Sequence, residues 1–296
     1  MRIAVSGSTG FIGSQLVTAL TRDGHDVTRI VRSKARSGDV RWSPDEGSID
    51  AAALEGTEAV IHLAGEIIAQ RWTGAVKQRI RDSRKHGTRL LAETIAGLAR
   101  PPRVMISASA IGFYGADRGD EILDETSAPG DDFLADVAVE WEAATEPASA
   151  RGIRVVRTRF GVVLDPAGGV LQRVLPIFKL GLGGKLGDGK QWMSWISLED
   201  LIEAIRFVLR APTVTGAVNL TAPHPVRNDE FTSVLGRVLG RPTFALVPAF
   251  ALRAVYGEMA DATILASQRV VPKRLQESGF RFAHPKLEAA LRAELR

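Results

Sequence analysis

The sequence predicts an α/β protein, with a doubly wound parallel sheet followed by a smaller C-terminal α/β lobe. Three observations support this class. Strand-like and helix-like segments alternate through the first half of the chain, a glycine-rich loop follows the first strand, and the composition is that of a folded protein. Parallel neighbours need crossover connections, which helices supply, so the alternation predicts the sheet.

Residue spacing predicts the individual elements. Runs of β-branched residues bounded by turn residues indicate strands, and apolar residues at helical spacing indicate helices. The predicted strands span residues 2–5, 26–31, 40–42, 59–63, 104–107 and 153–158, and the predicted helices span 11–22, 75–98, 133–150 and 198–209. The alternation loosens after residue 164, where a glycine-dense stretch at 181–189 predicts a loop that closes over a ligand.

Composition excludes several classes of protein. Hydrophobic residues make up 45% of the 296 residues and charged residues 24%, close to the averages of folded domains. The absence of cysteine rules out disulfide scaffolds and thiolate metal sites, and the five histidines lack metal-site spacing. No run approaches the roughly 18–20 apolar residues of a membrane span, and an initial strand leaves no room for a signal peptide. We therefore expect a cytoplasmic protein with no metal and no membrane partner.

The glycine-rich loop predicts dinucleotide binding. Glycines stand three residues apart in Gly7–Gly13, GSTGFIG, between a strand and a helix. In such a loop the first glycine permits the turn, the second lets backbone N–H groups reach a pyrophosphate, and the third permits close helix packing. We predict a Rossmann-type domain over residues 1–165 and a substrate-side lobe over 166–296. The expected cofactor contacts in the loop are Gly7, Ser8, Thr9, Gly10, Phe11 and Ile12.

The end of the second strand predicts which dinucleotide binds. Many NAD sites place a carboxylate there, which accepts a hydrogen bond from the ribose 2′-hydroxyl. This chain has Arg32, Ser33 and Lys34 instead. A guanidinium and a hydroxyl suit a 2′-phosphate, so we predict NADP(H), held by Arg32 and Ser33 with Lys34 nearby. The alternative is that Arg32 is an exposed charge at a strand end.

Positive charge is concentrated between Arg71 and Arg89. Lys77, Arg81, Lys85 and Arg89 stand four residues apart, so a helix presents them as one basic stripe. A solvated helix face is the interpretation we favour. A nucleic-acid surface is the alternative, but the segment lacks the aromatic interleaving of a single-strand binder. We expect no nucleic-acid partner.

Motifs along most of the chain resemble one protein family. The segments GSTGFIG at 7–13, HLAG at 62–65, SAS at 107–109 before FYG at 113–115, and WISLED at 195–200 resemble the extended short-chain dehydrogenases/reductases. The segments GLGG at 181–184, QWMSW at 191–195 and LASQRVVP at 265–272 resemble an atypical branch of the NAD-dependent epimerase/dehydratase type with a small C-terminal domain of unknown function. The resemblance implies a Rossmann core with a C-terminal lobe over the cofactor.

The resemblance also implies site residues and chemistry. Leu63, Ala64 and Gly65 would lie along the cofactor. Arg84 takes the place of an asparagine in ordinary members, where an arginine could reach a phosphate or ribose. The implied activity is that of an NADP(H)-dependent oxidoreductase or epimerase acting on a small polar, sugar-nucleotide-like substrate. Dimers are common in the superfamily, so a homodimer stays open.

The usual catalytic pair of that superfamily is missing. Its members use a tyrosine as general acid/base, and a lysine four residues later lowers the pKa of that tyrosine. The two tyrosines of this chain, Tyr114 and Tyr256, are followed at that spacing by arginine and alanine. If Ser109 is the superfamily's serine, Leu134 and Ala138 stand where the pair is expected, with Glu142 matching an acid that commonly follows.

Three alternatives stay open for the chemistry. Tyr114 could act from its own loop, with Ser109 holding a substrate oxygen, or the substrate or water could supply the proton. In the third alternative the protein is a non-catalytic NADP(H)-binding sensor or scaffold. We take Ser109 and Tyr114 as candidate catalytic residues, with an aromatic wall as the structural alternative for Tyr114. His62, in a buried strand, is predicted to be a core residue with satisfied hydrogen bonds.

Overall fold

The computed structural model describes residues 1–33 and 35–295. The strands are β1 Arg2–Ser6, β2 Asp26–Val31, β3 Val40–Ser43, β4 Ser48–Ile49, β5 Ala59–His62, β6 Val104–Ala110, β7 Asp117–Leu123, β8 Arg154–Phe160, β9 Val162–Asp165, β10 Gly184–Leu186, β11 Trp192–Met193, β12 Trp195–Ser197, β13 Gly216–Leu220, β14 Val226–Arg227, β15 Ala245–Val247 and β16 Ser267–Val270. The α-helices are α1 Phe11–Arg22, α2 Ala51–Leu54, α3 Gly74–Ala96, α4 Phe133–Ala143, α5 Glu146–Ala150, α6 Gly169–Lys179, α7 Leu198–Arg210, α8 Asn228–Leu239, α9 Ala249–Tyr256, α10 Lys273–Glu277 and α11 Leu287–Glu294. Lys34, expected near the 2′-phosphate, lies outside the described residues.

Eight strands form one sheet in the order β13, β8, β6, β5, β1, β2, β3, β4. Neighbours in this sheet are parallel except for β3 and β4. The chain moves outward from β1 in one direction to β4 and then in the other to β13, which is the winding of a doubly wound sheet. The predicted fold class is confirmed, and the crevice at the carboxyl ends of β1 and β5 is where such sheets bind ligands.

Apolar cores cover both faces of this sheet. On one face, Leu16 of α1 and Leu201 of α7 belong to a core that includes Ile3 of β1. On the other face, Leu91 of α3 belongs to a core that includes Ala4, the next residue of β1. Successive side chains of a strand point to opposite faces, so one buried strand serves both cores. The continuous apolar runs of the central strands follow from this double burial.

The prediction of one long helix over residues 133–150 is wrong, because this segment forms two helices. The first, α4, ends at Ala143, and α5 begins at Glu146 with Pro147 in its first turn. Proline lacks a backbone N–H and its ring clashes with the preceding helical turn, so a continuous helix does not pass through this position. The apolar spacing continues across the break, and periodicity alone therefore predicted a single helix.

The second half of the chain returns to the sheet and also builds the smaller lobe. β13 forms the edge of the sheet beside β8, and β16 pairs with β7. A separate apolar core joins α6, α8 and α11 through Leu171, Leu235 and Leu291. The domain boundary predicted after residue 165 stays a prediction. β13 lies after that boundary in the sequence and still pairs with β8 in the large sheet.

Within the glycine-dense stretch, where a ligand-covering loop was expected, Gly184–Leu186 form the short strand β10 and the flanking residues form turns. β10 pairs with β15 in this region. A Cβ on Gly184 would lie 2.0 Å from the carbonyl oxygen of Ala245, and one on Gly183 would lie 2.6 Å from a ring atom of Phe178. These two glycines are therefore required for close packing within the lobe.

Carboxylates pair with every member of the basic stripe on α3. The pairs are Lys77–Glu258, Arg81–Glu140, Lys85–Glu140 and Arg89–Glu93. Paired cations attract a phosphate backbone less than free ones, so the arrangement favours the helix-face interpretation. Within residues 1–33 and 35–295, no helix is long and apolar enough to cross a membrane, and no group of three His, Cys, Asp or Glu side chains is placed to hold a metal ion.

Candidate functional site

The turn between β1 and α1 has no space for side chains at Gly7 and Gly13 and little at Gly10. Gly7 has a φ of 68°, in the left-handed region that glycine tolerates. A Cβ on Gly7 would lie 2.7 Å from the carbonyl carbon of Leu63 and 2.8 Å from the nitrogen of Ala64. A Cβ on Gly13 would lie 2.2 Å from the Gly7 carbonyl oxygen, and one on Gly10 would lie 3.2 Å from that oxygen. The end of β5 and the start of α1 therefore approach the turn closely.

The first turn of α1 presents free backbone donors. Gly10 is its N-cap, no side chain caps it, and no acidic residue lies in the first turn. The leading N–H groups, those of Phe11 and Ile12 included, have no acceptor within the helix, and the helix dipole favours negative charge there. Ser8 is buried and its Oγ has no partner among the described residues, while Thr9 is exposed. These features fit a pyrophosphate.

Arg84 of α3 reaches over the end of β5. Its guanidinium carbon lies 3.4 Å from the point where a Cβ on Gly65 would be. It donates to the carbonyl oxygens of Glu66 and Ile80 and lies 5.0 Å from the centroid of the Trp141 ring. Burial lowers the pKa of Arg84 to about 10, and the Glu66 carboxylate opposes that shift. The side chain stays cationic at neutral pH and adds positive charge beside the glycine turn.

Arg32 and Ser33 directly follow β2 and are exposed. β2 pairs with β1 in parallel, so both residues lie at the carboxyl edge of the sheet, as the turn does. Arg29, earlier in the same strand, is neutralised by Asp39 through two hydrogen bonds. Arg32 has no such acidic partner among the described residues, which leaves its guanidinium free for an anion.

Ser109, near the carboxyl end of β6, belongs to a buried polar network. Its hydroxyl donates to Oε1 of Glu142 at 2.8 Å. Glu142 of α4 accepts from Nε and Nη2 of Arg159 at 2.7 and 2.9 Å. The parallel register of β6 and β8 places Ser109 opposite Arg159. A two-pronged arginine–carboxylate pair fixes orientation as well as charge, so the Ser109 hydroxyl is held in one direction.

Tyr114 extends the same network. Its hydroxyl donates to Oδ1 of Asn219 at 2.7 Å and accepts from Nη1 of Arg159 at 3.0 Å. The side chain is fully buried, and burial raises the pKa of Tyr114 to about 12 although Arg159 lowers it. A phenol with a raised pKa is a poor proton donor near neutral pH. The geometry therefore favours a positioning role, and direct catalysis by Tyr114 stays a prediction.

Apolar side chains stand at the two positions where the resemblance leads us to expect a tyrosine and a lysine. Leu134 lies in the first turn of α4, and its Cβ lies 3.4 Å from the point where a Cβ on Gly112 would be. Ala138, one turn later, is buried in a cluster with Ile111 and Tyr114. Neither Leu134 nor Ala138 can carry a proton.

His62 is a core residue, as the sequence predicted. Its Nδ1 lies 2.6 Å from Oγ of Ser6 and its Nε2 lies 3.0 Å from Oγ1 of Thr88, with Trp42 packed edge-on against the ring. Full burial lowers the pKa of His62 to about 4. The imidazole is neutral at physiological pH and both of its nitrogens are engaged, so it has no free atom for catalysis.

Arg159 and Asn219 are the network residues that the sequence did not single out. A signal for Arg159 exists in β8, RVVRTRF, where arginines at 157 and 159 alternate with buried residues. A charge in a buried strand requires a partner, which would have pointed to an acid nearby. Asn219 lies in the buried strand β13 and carries no comparable local pattern.

Residues 3–220 match the NAD dependent epimerase/dehydratase family. The chain belongs to this family. Residues 247–294 match a domain of unknown function, DUF1731. The epimerase family protein Mb2239 of Mycobacterium bovis is 47% identical over 98% of this chain and 96% of the relative. The chloroplastic epimerase family protein SDR39U1 homolog of Arabidopsis thaliana is 39% identical over 99% of this chain and 86% of the relative.

A solved structure from this epimerase family shares the complete fold. The crystal structure of the human epimerase family protein SDR39U1 (isoform2) with NADPH has a TM-score of 0.91 and 35% identity, covering 99% of this chain and 98% of that chain. The likeness extends over both the sheet and the C-terminal lobe, because nearly all of each chain is covered. The resemblance to the epimerase-like branch is confirmed.

Proposed function

We propose that this epimerase family protein binds NADP(H) at the glycine turn between β1 and α1. The observation that carries the proposal is the first turn of α1, which has no acid and no side-chain cap and lies beside the unpartnered Oγ of Ser8. The human relative crystallised with NADPH supports the same cofactor. Backbone groups of Gly7–Gly13 would hold the pyrophosphate. The remaining proposed contacts are Arg32 and Ser33 at the 2′-phosphate, and Leu63, Ala64, Gly65 and Arg84 along the rest of the cofactor.

The chemistry we propose is that of an oxidoreductase or epimerase. A bound nicotinamide supplies hydride transfer to or from a substrate carbon. The protein then has to hold the oxygen on that carbon and move its proton. We assign this role to Ser109, whose hydroxyl is backed by the Glu142 carboxylate.

A proton from the substrate oxygen would pass to Ser109 Oγ as the Ser109 proton passes to Glu142, and the reverse path would return it. Arg159 holds the carboxylate in place through both steps. Tyr114 positions Arg159 from the opposite side. A positioned acid/base group contributes roughly 10²–10⁴-fold in rate, so the pair would replace much of what the missing tyrosine supplies.

A small polar substrate of sugar-nucleotide type fits this proposal, because a secondary alcohol provides both the hydride carbon and the oxygen that Ser109 would hold. Oxidoreduction and epimerisation share that first step. A cytoplasmic location and a homodimer are further expectations from the sequence.

Titration with NADPH and NADH tests the cofactor. Arg32→Ala should weaken NADPH binding about 10–100-fold, because a charge-assisted hydrogen bond contributes about 1.5–3 kcal/mol, and should leave NADH binding unchanged. Arg22→Ala is the matched control, since Arg22 is an exposed arginine at the far end of α1. Equal NADPH affinity in wild type and Arg32→Ala would remove the 2′-phosphate assignment.

A substrate screen with NADP⁺ and NADPH tests turnover. Ser109→Ala should lower kcat by about 10²–10⁴-fold with NADPH affinity retained. Tyr114→Phe should reduce kcat less, because its effect passes through Arg159. A larger loss in Tyr114→Phe than in Ser109→Ala would make Tyr114 the proton donor.

A non-catalytic NADP(H) sensor is the second candidate function. Leu134 and Ala138, in place of tyrosine and lysine, favour it. Tight NADPH binding without turnover across a broad panel of alcohols, ketones and sugar nucleotides would establish the sensor, and sustained turnover of any of them would exclude it.

A further inference from the structure

A groove of about 600 Å³ lies beside the Glu142–Arg159 ion pair of the Ser109 network. Its walls come from α4, β8, the start of β13 and Arg274 of α10. None of its lining residues belongs to the glycine turn. The groove is open to solvent, and three of its side chains are arginines.

Arg157 is the arginine of this groove without a partner. It lies on β8 two residues before Arg159, so both side chains project from the same face of the strand. Its Nε is buried and has no hydrogen-bond partner, and no ion pair joins it to an acid among the described residues. The terminal Nη groups of Arg157 make no hydrogen bond among the described residues and, unlike Nε, are not buried. A ligand in the groove that accepts from these groups gains charge-assisted hydrogen bonds.

The other arginines nearby are already engaged. Arg159 is paired with Glu142. Arg274 donates through Nη1 to the carbonyl oxygens of Thr215 and Ala217. Arg154 donates to three carbonyl oxygens at the end of α7 and before β13. Hydrogen bonds to carbonyl oxygens do not neutralise Arg274, and the nearby Glu125 carboxylate offsets part of its charge.

Gly216 keeps the space between Arg157 and Arg274 open. It has a φ of 77°, and a Cβ there would lie 3.1 Å from Nη1 of Arg274 and 3.7 Å from Nη2 of Arg157. Both guanidinium groups therefore face the space beside one bare Cα. A side chain at this position would occupy part of that space and would be strained by the backbone.

The acids of the groove are held by other groups. The Glu142 carboxylate accepts hydrogen bonds from Arg159 and Ser109 and is paired with the charge of Arg159. Glu125 accepts the backbone N–H groups of Asn219 and Arg274. Backbone hydrogen bonds do not neutralise Glu125, whose negative charge interacts with Arg274. Arg157 is therefore the cation of the groove that no acid offsets among the described residues.

We propose that this groove binds a small anionic metabolite, whose phosphate or carboxylate group lies between Arg157 and Arg274. Arginine presents a planar set of donors that matches both groups. The site is separate from the proposed NADP(H) cleft and does not depend on it. Glu142 and Arg159 line the groove too, so the ligand lies beside the ion pair that orients Ser109.

Calorimetric titration of the full-length protein tests this site. The protein is first saturated with NADPH, so that the glycine turn does not take up the probe. Inorganic phosphate is titrated in one arm and succinate in the other, which distinguishes a phosphate ligand from a carboxylate ligand. We expect one of the two to bind with a stoichiometry of one, and Arg157→Gln to weaken that binding at least about tenfold. Arg22→Gln, the same change at an exposed arginine of α1, should leave it unchanged.

Two results would overturn the proposal. One is binding of equal strength in wild type and Arg157→Gln. The other is no binding of either anion up to 10 mM. Arg157→Lys keeps the charge without the planar donors, and it carries the same comparison if Arg157→Gln does not fold. If NADPH fails to bind, the wild-type and Arg157→Gln proteins are compared without it, so failure of the cofactor proposal is seen separately.

Discussion

His62 lies inside the sheet core with one hydroxyl on each ring nitrogen. Hydroxyl groups can donate to or accept from a neutral imidazole, and within residues 1–33 and 35–295 no carboxylate lies beside the ring to balance a charge. Burial therefore lowers the pKa of His62 to about 4. A residue type often used in catalysis is here a structural group that resists protonation.

Stability should fall as the pH drops from 7 to 5 because of His62. The ordinary pKa of 6.5 applies in the unfolded chain and the lowered one, about 4, in the folded protein. As the pH falls, His62 of the unfolded chain is protonated before His62 of the folded protein. The contribution of the neutral His62 to the free energy of unfolding is therefore complete above pH 6.5 and is lost progressively as the pH falls from 6.5 to about 4. From these two pKa values the loss between pH 7 and pH 5 is about 2 kcal/mol. Urea unfolding at the two pH values measures it.

His62→Gln is the control for that measurement, since glutamine has an amide that can bond to Ser6 and Thr88 but does not titrate. Between pH 7 and pH 5, the free energy of unfolding of His62→Gln should fall by about 2 kcal/mol less than that of the wild type. Identical pH dependence in the two proteins would show that His62 titrates normally in the folded state.

Among the elements, the β1–α1 turn places the strictest demands on residue size. Gly13 lies in the first turn of α1, and a Cβ there would overlap the carbonyl oxygen of Gly7. That oxygen also accepts the N–H of Gly10, so the turn cannot shift without losing this bond. The element therefore holds its anion-binding shape only with glycine at these positions.

Gly13→Ala should weaken NADPH binding by at least about tenfold and lower the free energy of unfolding by about 1–3 kcal/mol, the usual effect of forcing a methyl group into packed space. Fluorescence titration with NADPH and urea unfolding measure the two effects. Gly74→Ala is the matched control, because Gly74 begins α3 with no atom near its Cβ position. A Gly13→Ala protein that binds NADPH like the wild type would contradict the proposed cofactor site.

For the molecule as a whole, the C-terminal segment secures the loop that carries Tyr114. β16 pairs with β7, and the amide of Gln268 donates to the carbonyl oxygens of Ile111 and Gly115 at 3.1 and 2.6 Å. Those carbonyls flank the turn on which Tyr114 lies. Buried hydrogen bonds therefore join the C-terminal domain of unknown function to the turn that follows β6.

Gln268→Ala should lower the free energy of unfolding by about 1–3 kcal/mol, because it leaves two buried carbonyl groups without donors. Urea unfolding followed by tryptophan fluorescence measures it. Gln78→Ala, on the exposed face of α3 where the amide reaches only Asp82, should change stability by less than about 0.5 kcal/mol. Equal stability of the two variants would mean that the hydrogen bonds of Gln268 do not stabilise the loop that carries Tyr114.

Much of the sheet and of the proposed cofactor cleft could be predicted from the sequence. The predicted helix at 11–22 and strand at 26–31 coincide with α1 and β2. The glycines of the turn were identified from their spacing and from their position between a predicted strand and a predicted helix. These features are local, since hydrophobic periodicity and turn chemistry act over a few residues. The break between α4 and α5 was missed because the apolar pattern continued through Pro147.

The sequence by itself determined the fold class, the glycine turn, the absence of the tyrosine–lysine pair and the core role of His62. Only the tertiary structure decided that Ser109, Glu142, Arg159 and Tyr114 form one network, because these residues come from three separate segments: β6 with the turn after it, α4 and β8. The groove at Arg157 has the same origin, since its walls are brought together from distant parts of the chain. Local pattern encodes which element forms, whereas the charge and hydrogen-bond partners of a buried group depend on strand order and register.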